Sequence, residues 1–148
     1  MKFKSIILIA LTFISTVCLA QKLKYKDIYP YLEAKNYKQG IPKLKAYLTD
    51  IENQSEANPN YQMGIWLHER FNNLDGSNSA MLVQVGDSAI VFLTKAKSLI
   101  DDKEVKKQKD YYQEFVRRDL RSGKFAIKVS DVHLDIEKRI AAIRQRKE

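Results

Sequence analysis

Ala80-Met81-Leu82-Val83-Gln84-Val85-Gly86-Asp87-Ser88-Ala89-Ile90-Val91-Phe92-Leu93-Thr94-Lys95-Ala96-Lys97-Ser98-Leu99 is the stretch on which the fold turns. Leu82, Val85, Ala89, Phe92, Leu93, Ala96 and Leu99 recur at three- and four-residue steps, the spacing that gathers side chains on one face of an α-helix. The stripe is wide. Val83 and Val91 lie off it, so the helix is apolar on more than one side and is expected at the buried centre of a helical domain. Asp101-Asp102 follows it. Acids disfavour a helix C-terminus, so this pair is expected to open a next helix, Lys103 to Val116, with Val105, Tyr111, Tyr112 and Phe115 apolar.

The same period runs outward in both directions. Upstream, Asn60 to Phe71 reads as a helix with Tyr61, Ile65, Leu67 and Phe71 apolar, and Asn72 to Ser79 as a loop around the turn signal Asp75-Gly76-Ser77. Gln54 to Pro59 reads as a polar linker. Before it, Ile41, Leu44, Leu48 and Ile51 mark a helix that ends near Asn53, with Pro42 close to its start. Asn36-Tyr37 is a turn, and Leu23 to Ala34 is a first helix with Tyr25, Ile28, Tyr29 and Leu32 on one stripe. Downstream, Gly123 breaks the pattern and residues 124–129 alternate roughly, as an extended segment does. Ser130 is a good N-cap for a last helix with Val132, Ile136, Ile140 and Ile143 on its face. The basic end, Arg144 to Glu148, is expected to fray.

The first twenty residues read as an address rather than as fold. Met1-Lys2-Phe3-Lys4 is a short basic start, Ser5 to Val17 is almost wholly apolar, and Cys18-Leu19-Ala20 ends on a small residue before Gln21. That is the three-part pattern of a secretory signal peptide, cleaved between Ala20 and Gln21. The apolar run falls short of the ~20 residues that span a bilayer. The smaller alternative is a lipoprotein acylated at Cys18, for which Ser15-Thr16-Val17 is a poor lipobox. Residues 21–148 then form one domain, periplasmic or secreted, in a bacterial setting. Removing Lys2 and Lys4 lowers the net charge from +8 to about +6. Cys18 is the only cysteine and leaves with the leader, so packing alone holds the domain.

Two stretches resemble one another and a known family. In Asn36-Tyr37-Lys38-Gln39-Gly40-Ile41-Pro42-Lys43-Leu44, Tyr37, Gly40, Ile41 and Leu44 stand where the second helix of a tetratricopeptide repeat has its turn aromatic, small residue and large apolar residues. Ala89, Ile90, Leu93 and Ala96 match the same segment. Met63-Gly64, after Asn58-Pro59, resembles the Leu-Gly pair of a first helix. Gly40 and Ala89 lie 49 residues apart by their numbers, against about 34 in a regular repeat. The resemblance covers about half of the processed chain and implies an all-α fold: antiparallel helical hairpins stacked in a short array, with a C-terminal helix. In that family first helices line a concave groove. Carried over residue by residue, the groove falls on Tyr25, Tyr29, Glu33, Tyr61, Ile65, His68 and Glu69. Tyrosine is a common binding anchor. The competing reading makes Tyr25, Tyr29 and Tyr61 core rings. Solvent exposure separates the two.

No catalytic pattern is present. His68-Glu69 lacks the second histidine, because position 72 is Asn72. Two histidines are too few for a zinc site, Asp87-Ser88 has no histidine at a useful spacing, and neither Asp101-Asp102 nor the Asp75 loop has calcium-loop spacing. No cofactor or metal is expected. Arg117, Arg118, Arg121, Lys124 and Lys128 form the densest basic run. It reads as a solvated face, or as a contact for an acidic protein or an anionic envelope surface; nucleic acid is not an expected partner of an exported chain. The expectation is a non-enzymatic interaction module that binds another envelope or secreted protein, with membrane attachment only through a lipidated Cys18 or an uncleaved leader. The alternative is a structural accessory domain of a larger envelope assembly, with no groove of its own.

Overall fold

The computed structural model describes residues 23–76, 79–120 and 122–148. The leader with its cleavage site and Cys18, the Ser77-Asn78 part of the turn and Arg121 of the basic run lie outside them. The chain is all-α: helices α1 (Tyr25–Glu33), α2 (Tyr37–Tyr47), α3 (Ala57–Asn72), α4 (Ser79–Leu99), α5 (Asp102–Lys107) and α6 (Val129–Lys147), with one small sheet, β1 (Val116–Arg118) and β2 (Phe125–Ile127). One core cluster runs through them, from Tyr25 to Ile143.

Helix α1 packs on α2, and α3 packs on α4. These are the two hairpins. The first reversal is set by backbone hydrogen bonds: the Asn36 amide donates to the Tyr31 carbonyl (2.7 Å) and the Lys35 amide to Leu32 (2.9 Å), the pairing that closes a helix on a left-handed residue. That residue is Lys35, at φ 54°. Its cost as a non-glycine there is modest, and its side chain ion-pairs with Glu69 on α3 at 3.1 Å.

The second hairpin is the heart of the domain, and its central helix is α3 rather than α4. Every residue from Ala57 to Ile65 is buried, whereas α4 buries one stripe (Leu82, Val85, Gly86, Ala89, Leu93, Ala96) and leaves Val83 and Val91 exposed. The expectation for α4 as the centre is corrected here. The polarity of α3 hid its burial: Asn58 and Asn60 are almost wholly enclosed, and every buried side-chain N or O among the described residues has a partner. Asn60 donates to the Gln54 and Glu56 carbonyls. A satisfied polar group can be buried without a large penalty. The close approach of α3 and α4 needs Gly64, where a Cβ would come within 2.7 Å of Leu93 Cγ.

Helix α6 then closes the open side of the hairpin. Val132, Ile136 and Ile143 are fully buried, and α6 contacts both α4 and α3. Its end does not fray as expected. The Arg146 guanidinium donates to the Phe71 carbonyl (2.6 Å) and the Leu74 carbonyl (2.7 Å) and lies over the Phe71 ring. It therefore adds a charged donor to carbonyls at and just beyond the end of α3. Ion pairs Lys97–Glu137 and Lys147–Asp87 tie α6 to α4.

Several expected boundaries move. Helix α2 starts at Tyr37, the expected turn residue, and ends at Tyr47. Beyond it, Asn53 holds the Tyr47 carbonyl and a 3-10 turn, Asn53–Ser55, intervenes. The supposed linker enters α3, with Pro59 in the first turn, where a missing N–H is harmless. Asp101 caps α5 by accepting from the Glu104 amide (2.7 Å), as the acidic pair suggested. The expected helix Lys103–Val116 nevertheless stops at Lys107 and continues as a 3-10 segment, Lys109–Phe115, kinked at Tyr112. The kink lets Tyr112 and Phe115 both reach the core. The extended segment is real and pairs with β1 in antiparallel register, Val116 opposite Ile127 and Arg118 opposite Phe125. Helix α6 begins at Val129 and has no side-chain cap, so Ser130 is not the N-cap.

Candidate functional site

A cleft of about 260 Å³ opens where α1, α2, α3, the 3-10 segment and α6 meet. Tyr29, Glu33, Ile65 and Glu69, four of the residues assigned to the groove, line it. Tyr37, the turn aromatic of the family pattern, joins them, as do Glu114 and Arg139 from elements that the pattern does not include.

Arg139, on the wall of the cleft, is the outer end of a polar chain rooted in the core. Tyr61, with no exposure, donates its hydroxyl to Asp135 Oδ2 at 2.7 Å. Arg139, one turn on, donates Nε to the same oxygen at 2.6 Å. Its other arm reaches His68 Nδ1 at 3.3 Å. A guanidinium can only donate, so Nδ1 is the acceptor in this contact, which disfavours a second proton on the ring. Burial, then the Arg139 charge, push the His68 pKa below its ordinary 6.5. Burial, then the Asp135 charge, push the Tyr61 hydroxyl far above the ordinary tyrosine range.

The walls carry the remaining charge. Glu69 is paired with Lys35 and is hydrogen-bonded to Tyr37, whose pKa rises chiefly through burial. Glu33 stands exposed at the rim. Burial raises the Glu114 pKa, and the Asp135 charge adds to it. Tyr29 is pushed up to about 12, by burial first and then by Glu33 and Glu114. The cleft therefore offers carboxylates, hydroxyls and one anchored guanidinium around a small apolar strip of Leu32 and Ile65. Such a surface presents both hydrogen-bond donors and acceptors.

The aromatic reading is corrected in part. Tyr25 and Tyr61 are core rings, at 6% and 0% exposure. Tyr25 stacks against Tyr29, Tyr47 and Tyr111, with centroids 5.1–6.0 Å apart, and donates to Asn58 Oδ1 at 2.5 Å. Tyr29 is half-buried, 4.6 Å from Tyr111, and keeps one edge on the cleft. Ile65 is buried with only its edge lining the cleft, and His68 sits half-buried behind Arg139. Trp66 is half-buried under Lys45 and Arg70. Arg117, Arg118, Lys124 and Lys128 are exposed on and around the β-hairpin, away from the cleft.

Sequence reasoning missed Tyr37, Glu114, Asp135 and Arg139. Asp135 and Arg139 carried a signal, an acid and a base four residues apart on one helix face. Glu114 carried none, because its position depends on the kink at Tyr112. Among the described residues no group of three or more His, Cys, Asp or Glu side chains is placed to hold a metal ion, and no helix is long and apolar enough to cross a membrane. Comparison with protein-family models, with curated proteins and with solved structures finds no match.

Proposed function

We propose that this chain is an exported interaction module, built of helical hairpins similar to tetratricopeptide repeats, that binds a polar segment of another envelope protein in the cleft between α1, α3 and α6. The observation that carries the reading is the convergence of Tyr29, Glu33, Ile65 and Glu69 on one cleft. Arg139 on its wall is held by hydrogen bonds to Asp135 and His68, and Asp135 in turn by Tyr61 behind it, before any partner arrives. Such preorganisation lowers the entropic cost of binding. The export part rests on Met1 to Ala20.

The burial of Tyr25 and Tyr61 favours a second reading, the structural accessory domain, because those rings stabilise the fold and offer nothing to a ligand. A photo-crosslinking amino acid at Glu33, on the cleft rim, is compared with one at Val91, which is 64% exposed on α4. The binding reading expects a discrete adduct with another envelope protein from position 33 only, lost when Tyr29→Ala is added. Adducts shared by both positions, or none from position 33, would favour the accessory domain.

A further inference from the structure

The β-hairpin and the segment before it carry chemistry that the cleft does not use. Leu120 in the turn is 97% exposed and Phe125 on β2 is 74% exposed. Large apolar side chains so fully in water, both on the one hairpin, mark a contact surface. They are set among cations: Arg117, Arg118, Lys124 and Lys128 are all exposed. Behind the hairpin lies an open, mostly apolar cleft of about 350 Å³, with Lys106 and Lys109 on its far wall.

The register puts cations on both faces around Phe125: Arg118 shares its face, and Arg117, opposite Ala126, and Lys124 take the other. Residues opposite one another in an antiparallel pair share a face. Val116 and Ile127 are opposite and partly buried, Ile127 against the core. Arg118 and Phe125, the next pair on that face, lie beyond the core edge and are exposed. The ladder thus passes from core contact to a cation beside an aromatic ring. The hairpin's acid, Asp119, is engaged internally: it accepts from the Ser122 amide (2.8 Å) and pairs with Lys128 at 3.6 Å. The outward field is therefore basic.

We propose that this hairpin docks the protein on an anionic lipid bilayer, with Leu120 and Phe125 entering the headgroup layer and the surrounding Lys and Arg side chains meeting lipid phosphates. An acidic protein would answer the cations but leave Leu120 and Phe125 in water. A second copy pairing along the strand edge would bring like charges together. A bilayer surface has a negative layer above an apolar one and meets both features at once. The contact needs neither a lipidated Cys18 nor a retained leader.

The test uses the protein without Met1–Ala20, so that the apolar leader contributes nothing; the core runs from Tyr25 to Ile143 and is untouched by that removal. Co-sedimentation is measured with vesicles of phosphatidylglycerol mixed into phosphatidylcholine, and with phosphatidylcholine alone. The expected result is partition about tenfold or more stronger on the anionic vesicles, weakening as salt is raised. Arg117→Glu with Lys124→Glu lowers it about tenfold or more, and Leu120→Ser lowers it severalfold with no change in the circular-dichroism melt. Lys38→Glu with Lys43→Glu, the same change of charge on the exposed face of α2, leaves partition within about twofold. Equal partition on neutral vesicles, no partition at all, or an equal loss from the Lys38/Lys43 variant would each overturn the proposal. So would binding to soluble polyglutamate, but not to vesicles, that the Arg117/Lys124 variant loses; the surface would then recognise an acidic protein.

Discussion

The contact between α3 and α4 is expected to fail in a way that helix propensity alone cannot produce. In Gly64→Ala the new methyl lies 2.7 Å from Leu93 Cγ and Cδ2 and 3.2 Å from the Leu93 backbone nitrogen. Cγ is one bond from the Cβ stem and the nitrogen belongs to a helix, so neither swings aside cheaply. Overpacking of this kind costs about 1–3 kcal/mol. Alanine in a helix interior regains about 1 kcal/mol over glycine. The net is a loss of up to about 2 kcal/mol, read as a fall of up to roughly 7 °C in the melting temperature of a domain of this size. Leu93→Ala alone empties a fully buried site and costs about 2–5 kcal/mol. In that background the Cγ and Cδ2 obstacles are gone and only the approach to the backbone nitrogen remains, so Gly64→Ala becomes stabilising by up to about 1 kcal/mol. The effect of one substitution changes sign with the other, a coupling of about 1–3 kcal/mol. Urea unfolding followed by circular dichroism measures all four corners of the cycle. A Gly64→Ala that stabilises the parent protein, or that acts equally in both backgrounds, would refute the claim that Gly64 exists to admit Leu93.

Asp135→Ala leaves the fully buried Tyr61 hydroxyl and the Arg139 guanidinium without their shared acceptor, and is expected to cost about 2–3 kcal/mol in urea unfolding. Asp135→Asn keeps an acceptor oxygen and loses less; equal losses would mean that the carboxylate acts by charge alone. His68 gives a pH dependence whose sign follows from its lowered folded-state pKa. Its protonated form is disfavoured in the native state, so its contribution is fully present above the unfolded value near 6.5 and is lost as pH falls through the folded value. The carboxyls of Glu104 and Glu114, raised by burial, act oppositely: their protonation favours the native state, and that contribution fades as pH rises through their folded values. The melting temperature of the parent protein, compared with His68→Gln between about pH 7.5 and about pH 5.5, is expected to fall more steeply on acidification; parallel slopes would remove His68 from the account.

The sequence disclosed the helices where apolar residues alone make the face. In α4 the stripe from Leu82 to Ala96 and its bounds were legible, because period and burial agree there. They part company in α3. Asn58, Asn60 and Gln62 look solvated in the sequence, and their burial becomes favourable only when Tyr25, Tyr111 and the Gln54 and Glu56 carbonyls arrive as partners from elsewhere. The break after Lys107 was illegible for a related reason. Tyr111, Tyr112 and Phe115 fit a helical stripe, yet the kink at Tyr112 is decided by where the core has room. The candidate cleft followed the same division. Its α1 and α3 wall came from a pattern in local sequence, and its opposite wall, Glu114 and Arg139, from long-range closure by the C-terminal elements.

That closure also bears on how the two surfaces relate. The 3-10 segment Lys109–Phe115 separates them, and Gln113 lines both the α1–α3 cleft and the apolar cleft behind the hairpin. Glu114 faces the first, while its backbone carbonyl accepts from Arg117 at the root of the hairpin. Tyr112 and Phe115 anchor the segment in the core from within, so it cannot shift toward one surface without moving the wall of the other. A rigid, doubly anchored partition of this kind keeps the two sites at fixed distance and orientation. A partner held in the cleft would then sit at a fixed height above any bilayer that the hairpin meets. That fixed geometry is what the proposed interaction module would need in order to position another protein.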